Sequence, residues 1–361
     1  MSETTVSPIN GENREHRKLK PLRRRPYTYI HADTHKEFQT VYEAHDRITV
    51  NLDIFWWDAI THIARRDSDG TPSCPNTSTK KKNEKPKPLE SLQTPRVMPC
   101  DLKVRESRPL RFRVTPIRPL LPEHMRALVK TFCDPSIRET MLNNPGLYNA
   151  KLYVHLGELS PPDEAKSTEL CRPVYFDQHL RGARKDMKIR AKQMGAALAI
   201  IHCKCGYDGA GIKFQLGLRP KYRKVVMWPT NFARCKIFNV SQNMELKLAL
   251  AIAKNPTWPR PPGMLGFMSE ESPLAPEGWR IWNAFKDAYL SACSDLSSTQ
   301  PSLKFSPIAV IEHMSSIYNP HERWYDDLFG RERASQDLCR ILRLMDGIRA
   351  LSMPLSRQWS E

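Results

Sequence analysis

No stretch of the sequence stays apolar over the roughly 18 residues that a bilayer-spanning helix needs, so no membrane span is expected. The opening residues, MSETTVSPINGENREHRK, have no apolar core of the kind a secretory signal carries. Catalytic signatures are equally scarce. There is no GxSxG elbow, P-loop, HExxH pair or kinase set, and neither an enzyme activity, a cofactor nor a small-molecule substrate is expected. Cys-x₂-Cys spacing does not occur, although the chain has nine cysteines. Seven of them (Cys74, Cys100, Cys133, Cys171, Cys235, Cys293 and Cys339) are widely scattered, which suits reduced thiols in the cytosol or nucleus rather than a disulfide framework. Acidic residues are the minority: 39 Asp and Glu face 56 Lys and Arg, giving a formal charge of +17. Such an excess points to a polyanionic partner, nucleic acid first, with a basic protein carrying solvated tails as the alternative.

What is present is an α+β pattern with polar ends. Of the 361 residues 40% are hydrophobic, enough for a real core in one large or two modest domains. Residues 1–35 read as a disordered basic tail, because they cannot bury enough apolar surface to order themselves. A short helical segment, 36–66, carries Phe38, Val41, Tyr42, Leu52, Ile54, Phe55, Trp56, Ile60 and Ile63 and is expected as one or two helices. The proline- and lysine-rich segment 67–121 reads as a linker, since proline fixes φ and removes a backbone donor.

Residues 122–254 read as the α+β domain. A helix is expected from His124 to Met141, broken at Asp134-Pro135, and a strand at KLYVHL, 151–156. A basic helix is expected over 177–195. Three strands should follow: AALAIIHC (196–203), IKFQLGL (212–218) and YRKVVMW (222–228), with GYDGAG (206–211) as the hairpin turn between the first two. NMELKLALAIAK, 243–254, is helical by propensity.

The stretch NPTWPRPPGMLGF, 255–267, reads as the start of an ordered, proline-stiffened strap covering 255–275. Its Trp258 and Phe267 call for burial, with Met268 expected to matter less. A helical module follows over 276–351, built as a three-helix bundle. One helix starts at Pro276, with Trp279, Trp282 and Phe285 facing its core. A second starts at Pro307. A third carries Leu338, Ile341, Leu342, Met345 and Ile348, and Trp324 is assigned to the same core.

Two basic runs look like nuclear import signals: Arg17, Lys18, Lys20, Arg23, Arg24 and Arg25, then Lys80, Lys81, Lys82, Lys85 and Lys87. His202, Cys203 and Cys205 form the most metal-like spot. Their spacing leaves zinc without a second ligand pair, so they read as ordinary buried groups and no metal site is expected.

Trp258, Pro259, Pro261, Pro262 and Phe267 together resemble the proline–proline–phenylalanine (PPF) signature of a fungal mating-type family. This is the second protein of the α-type idiomorph in filamentous ascomycetes, and the resemblance spans roughly residues 255–285. Asn283, Phe285, Ser306, Pro307, Pro320 and Trp324 resemble an α-box or HMG-type module. The likeness departs where cations are wanted: only Arg280 is near the start of the first helix, and Glu277, Glu322, Asp326 and Asp327 are acidic. The family resemblance implies a non-enzymatic nuclear regulator of sexual development, acting in fruiting-body and ascospore formation, with other nuclear regulators as partners. Direct nucleic-acid contact is one expectation. An interaction factor that never touches DNA is the other.

Overall fold

The computed structural model describes residues 28–32, 35–69, 92–93, 110–219, 224–239, 243–263, 268–298 and 305–316. Its architecture is α+β: among the described residues, helices pack around a small four-stranded sheet, and two further strands pair as a ribbon of their own. The ribbon pairs β1, Thr28–Ala32, antiparallel with β2, Leu110–Val114. Both strands lie in segments read as tail and linker, and they correct that reading for these residues. Buried Leu92 corrects it for a further point of the linker.

Helix α1, His35–Asp69, is one continuous element. Its buried side chains recur as Phe38, Val41, Ile48, Leu52, Trp56, Ala59, Ile60 and Ile63, the stripe that a 3.6-residue period draws along one face. Ile54 is exposed rather than buried. Helix α2, Pro122–Phe132, has proline at its start, and α3, Pro135–Asn143, follows after Cys133 and Asp134. Asp134 makes that break: its carboxylate accepts from the Ser136 amide at 2.9 Å, capping α3.

Helix α4, Phe176–Ile200, runs on through a π-helical turn, Ile201–Cys205. The strand expected at 196–203 is therefore the buried end of a helix. Ala196 to Ile201 are fully enclosed on every side, so no face is polar and no period is visible. A short apolar run of that kind reads equally as strand or helix. Gly206, at φ 70°, supplies the left-handed stop, so GYDGAG ends a helix instead of turning a hairpin.

The sheet runs β4–β3–β5–β6, from β3 (Leu152–Val154), β4 (Arg172–Val174), β5 (Lys213–Leu218) and β6 (Val225–Thr230). β3 and β4 are parallel, and the other neighbours are antiparallel. Each outer strand contains a proline, Pro173 in β4 and Pro229 in β6, where a missing amide donor is tolerated.

Helices α5, Met244–Ala253, and α6, Ala275–Ser298, flank the proline-rich stretch, and α7, Pro307–Ser316, comes last among the described residues. α6 lies chiefly along α4 and α1, whereas α7 lies chiefly on α5. The third helix of the expected bundle and Trp324 lie outside the described residues. Trp282 and Phe285 are in the core, but Trp279 is 40% exposed and corrects its assignment there. At 100° per residue Trp279 sits about 120° from the centre of the buried face.

Residues 255–263 form a strap across the core. Trp258 is completely buried, donates from Nε1 to the Gly209 carbonyl at 3.2 Å, and meets Phe214 edge-on at 5.3 Å. Asn255 donates to the Ala210 and Ile212 carbonyls at 3.1 and 2.7 Å. Leu156 and Gly157 donate their amides to Thr257 and Pro256. Pro259, Pro261 and Pro262 are buried. Phe267 lies outside the described residues. Met268, expected to matter less than Phe267, is buried and its sulfur sits beside Gly278.

Candidate nucleic-acid interface

The sheet has two unlike faces because strand side chains alternate. Leu152, Val154, Phe214, Leu216 and Met227 are buried. The opposite face carries Lys151, Tyr153, Lys213, Gln215 and Thr230. Register brings them together: Tyr153 pairs with Gln215 across β3–β5, and Lys213 with Thr230 across β5–β6.

This face floors a groove of about 290 Å³, walled by Val41 and His45 of α1, by Val114, Thr115 and Ile117, and by Asn231, Phe232 and Ala233. Among the described residues that line it, none is Asp or Glu. The Lys213 ammonium lies 5.1 Å from the centre of the Tyr153 ring, on its face. Burial raises the Tyr153 phenol above its ordinary value, with the nearby Cys171 adding to the effect, so it stays a neutral donor. Burial also holds the His45 imidazole down at about 4, against a smaller opposing backbone hydrogen bond. Its ring packs edge-on to Phe232 at 4.9 Å. The groove therefore offers two ammonium groups, a phenol and several amide or hydroxyl groups to a ligand. Those groups suit phosphate oxygens and a stackable ring.

A second groove, about 400 Å³, opens between α4 and α6. Lys188, Lys192, Arg280, Asn283 and Asp287 are among its lining residues. Glu277, the acidic residue at odds with a DNA-facing module, is bonded to both Arg184 and Arg280. Burial acts to raise its carboxyl, but these two guanidinium groups hold it below the ordinary value. Its charge is thus neutralised locally.

The residues singled out from the sequence distribute differently. Trp258, Pro259, Pro261 and Pro262 are structural parts of the strap beneath the sheet. Trp282 and Phe285 are core, and Asn283 is exposed on the second groove. The basic runs Arg17–Arg25 and Lys80–Lys87 lie outside the described residues.

His202, Cys203 and Cys205 do not converge. His202 is hydrogen-bonded through Nδ1 to the Tyr289 hydroxyl at 2.9 Å, Cys203 meets Cys293, and Cys205 approaches the Arg47 carbonyl. Among the described residues no group of three His, Cys, Asp or Glu side chains is placed to hold a metal ion.

The groove residues Lys151, Tyr153, Lys213 and Gln215 were not singled out from the sequence. The signal was present in the alternation: if Phe214, Leu216 and Leu218 point inward, Lys213 and Gln215 must point outward. Comparison of the chain with family models, with curated proteins and with solved structures gave no match.

Proposed function

We propose that the chain is a non-enzymatic nuclear regulator of fungal sexual development that contacts nucleic acid through the sheet groove. The observation that carries the nucleic-acid contact is a groove that holds Lys151 beside the Lys213–Tyr153 pair, with no Asp or Glu among the described residues that line it, in a chain of formal charge +17. Lysines attract the phosphate backbone without reading its sequence, and the tyrosine ring suits base stacking. The mating-type part of the reading rests on the resemblance around Trp258, Pro261 and Pro262. Import rests on the two basic runs.

The test has two arms. Binding of labelled single-stranded and duplex DNA to the full chain is titrated against salt. Replacing Lys151 and Lys213 by Gln should flatten the log–log slope by about 1.4 on single strands and about 1.8 on duplex, if each lysine neutralises one phosphate. No binding at low salt overturns the nucleic-acid contact, and an unchanged slope removes it from this groove. In the second arm, Ala replacement of the Lys and Arg in both runs should slow nuclear entry of a fluorescent fusion. An undiminished rate overturns import by these runs.

A second reading, an interaction factor without DNA contact, is favoured by one observation. Val50, Ile54 and Trp57 are exposed at 43%, 60% and 56%, and their spacing places them on one side of α1.

A further inference from the structure

The π-helical turn at the end of α4 is fastened to α6 by three successive side chains. His202 Nδ1 is hydrogen-bonded to the Tyr289 hydroxyl at 2.9 Å. The Cys203 thiol donates to the Cys293 sulfur at 3.5 Å. Lys204 Nζ donates to the Leu296 carbonyl at 3.1 Å. Residues 289, 293 and 296 share one face of α6, so the turn is held in register along nearly two turns of that helix. π-helical turns are rare and recur at functional sites.

The middle contact brings together two thiols of unlike exposure. Cys293 is 1% exposed, while Cys203 is half-buried, so part of that residue remains open to solvent. Two sulfurs in contact need only modest side-chain rotation to reach the bond length of about 2.05 Å. The other cysteines of the turn and its surroundings differ. Cys205 and Cys235 are both buried, which shields them from an oxidant in solution.

We propose that Cys203 and Cys293 form a modification site, a dithiol that a hydroperoxide closes to a disulfide. The Cys203 thiolate attacks one peroxide oxygen, the O–O bond breaks, and Cys203 becomes a sulfenic acid while the other oxygen leaves as water or alcohol. The Cys293 sulfur then attacks Cys203 Sγ. The S–O bond breaks, and the departing hydroxide takes the Cys293 proton as water. The two sulfurs supply two electrons in all, and the hydroperoxide accepts both. The product bolts the turn covalently to the C-terminal part of α6. A thiol reductant reverses it.

The experiment uses the full chain and hydrogen peroxide, followed by alkylation of remaining thiols after unfolding, trypsin digestion and mass spectrometry. Cleavage after Lys204 separates Cys203 from Cys205, so peptide 193–204 reports Cys203 alone and 287–304 reports Cys293 alone. The expected result is a linked pair of these peptides, two hydrogens lighter than their sum and released by reductant. Cys293→Ser should leave Cys203 as a sulfenic acid that dimedone captures, and Cys203→Ser should leave Cys293 fully alkylated. A linked peptide joining Cys203 to any other cysteine overturns the proposal. So does oxidation of Cys203 in the native protein without linkage. Circular dichroism of each variant before oxidation separates a misfolded protein from an unlinked one, and the native chain alone decides the outcome if a variant fails to fold.

Discussion

Trp258 illustrates how one side chain can hold several layers. Its ring touches Phe214 of the sheet and Phe285 of α6, while Nε1 satisfies the Gly209 carbonyl just past the helix stop. Trp258→Ala should cost about 3–5 kcal/mol, because the cavity it leaves is walled by three elements that cannot all collapse inward. Trp258→Phe keeps most of the ring contact and loses the hydrogen bond, so about 1–3 kcal/mol is expected. Urea unfolding midpoints of the two variants check the order. The sequence allowed this residue to be read as buried, because a tryptophan among four prolines has little entropy left to lose. Its partner at Gly209 is hidden in the sequence, because GYDGAG reads as a hairpin turn.

Among the elements, the α4–α6 pair depends on Gly195. A Cβ there would lie 2.4 Å from the Phe285 carbonyl oxygen and 2.9 Å from the Tyr289 amide nitrogen, both backbone atoms that cannot step aside. Gly→Ala inside a helix normally gains close to 1 kcal/mol. At Gly195 the helices would have to separate, so Gly195→Ala should destabilise by about 1–3 kcal/mol or more. Gly182 lies beside a break in α4, where Ala183 has φ −147° and ψ 38°, and its nearest neighbour is a Phe132 ring carbon at 3.4 Å. The space admits a methyl group, so Gly182→Ala should change stability by less than about 1 kcal/mol. Melting temperatures of the two variants should move in opposite directions or differ clearly. Element boundaries that rest on punctuation were readable in advance. The break at Asp134-Pro135 and the helix start at Pro307 fall where the residues place them, and the helix expected from His124 begins slightly earlier, at Pro122. The end of α4 was not, since Ala196–Ile201 are enclosed all round and carry no polar face to set a phase.

The molecule as a whole carries several imidazoles that burial keeps neutral. His202 is held down at about 3 and His45 at about 4, and His179 is lowered by burial, then by Arg190 and His155. In the unfolded chain these groups titrate near 6.5. Above that pH both states are neutral and the stability is fully present. As pH falls below about 6.5 the unfolded chain takes up protons that the folded chain refuses, so stability drains away towards pH 4. Two such groups give a limiting slope of roughly 2.7 kcal/mol per pH unit, and His179 steepens it. Unfolding free energies measured from pH 7 down to 4.5 should follow this trend, and His202→Gln should remove about one proton from the uptake. A flat profile would contradict it. The α+β class was evident from strand and helix patterns, yet the packing of α6 on α4 joins residues some ninety positions apart, as in the pair Cys203 and Cys293. Nothing in a single sequence marks such a pairing.

The prolines of the two outer strands have a consequence for assembly. A sheet grows by offering amide donors at its margin to a newcomer chain. Pro173 sits in the middle of three-residue β4, and Pro229 sits near the end of β6, so each margin is missing a donor where an added strand would register. Among the described residues each outer strand is thereby a poorer template for a long ladder with a second copy or with an extended peptide.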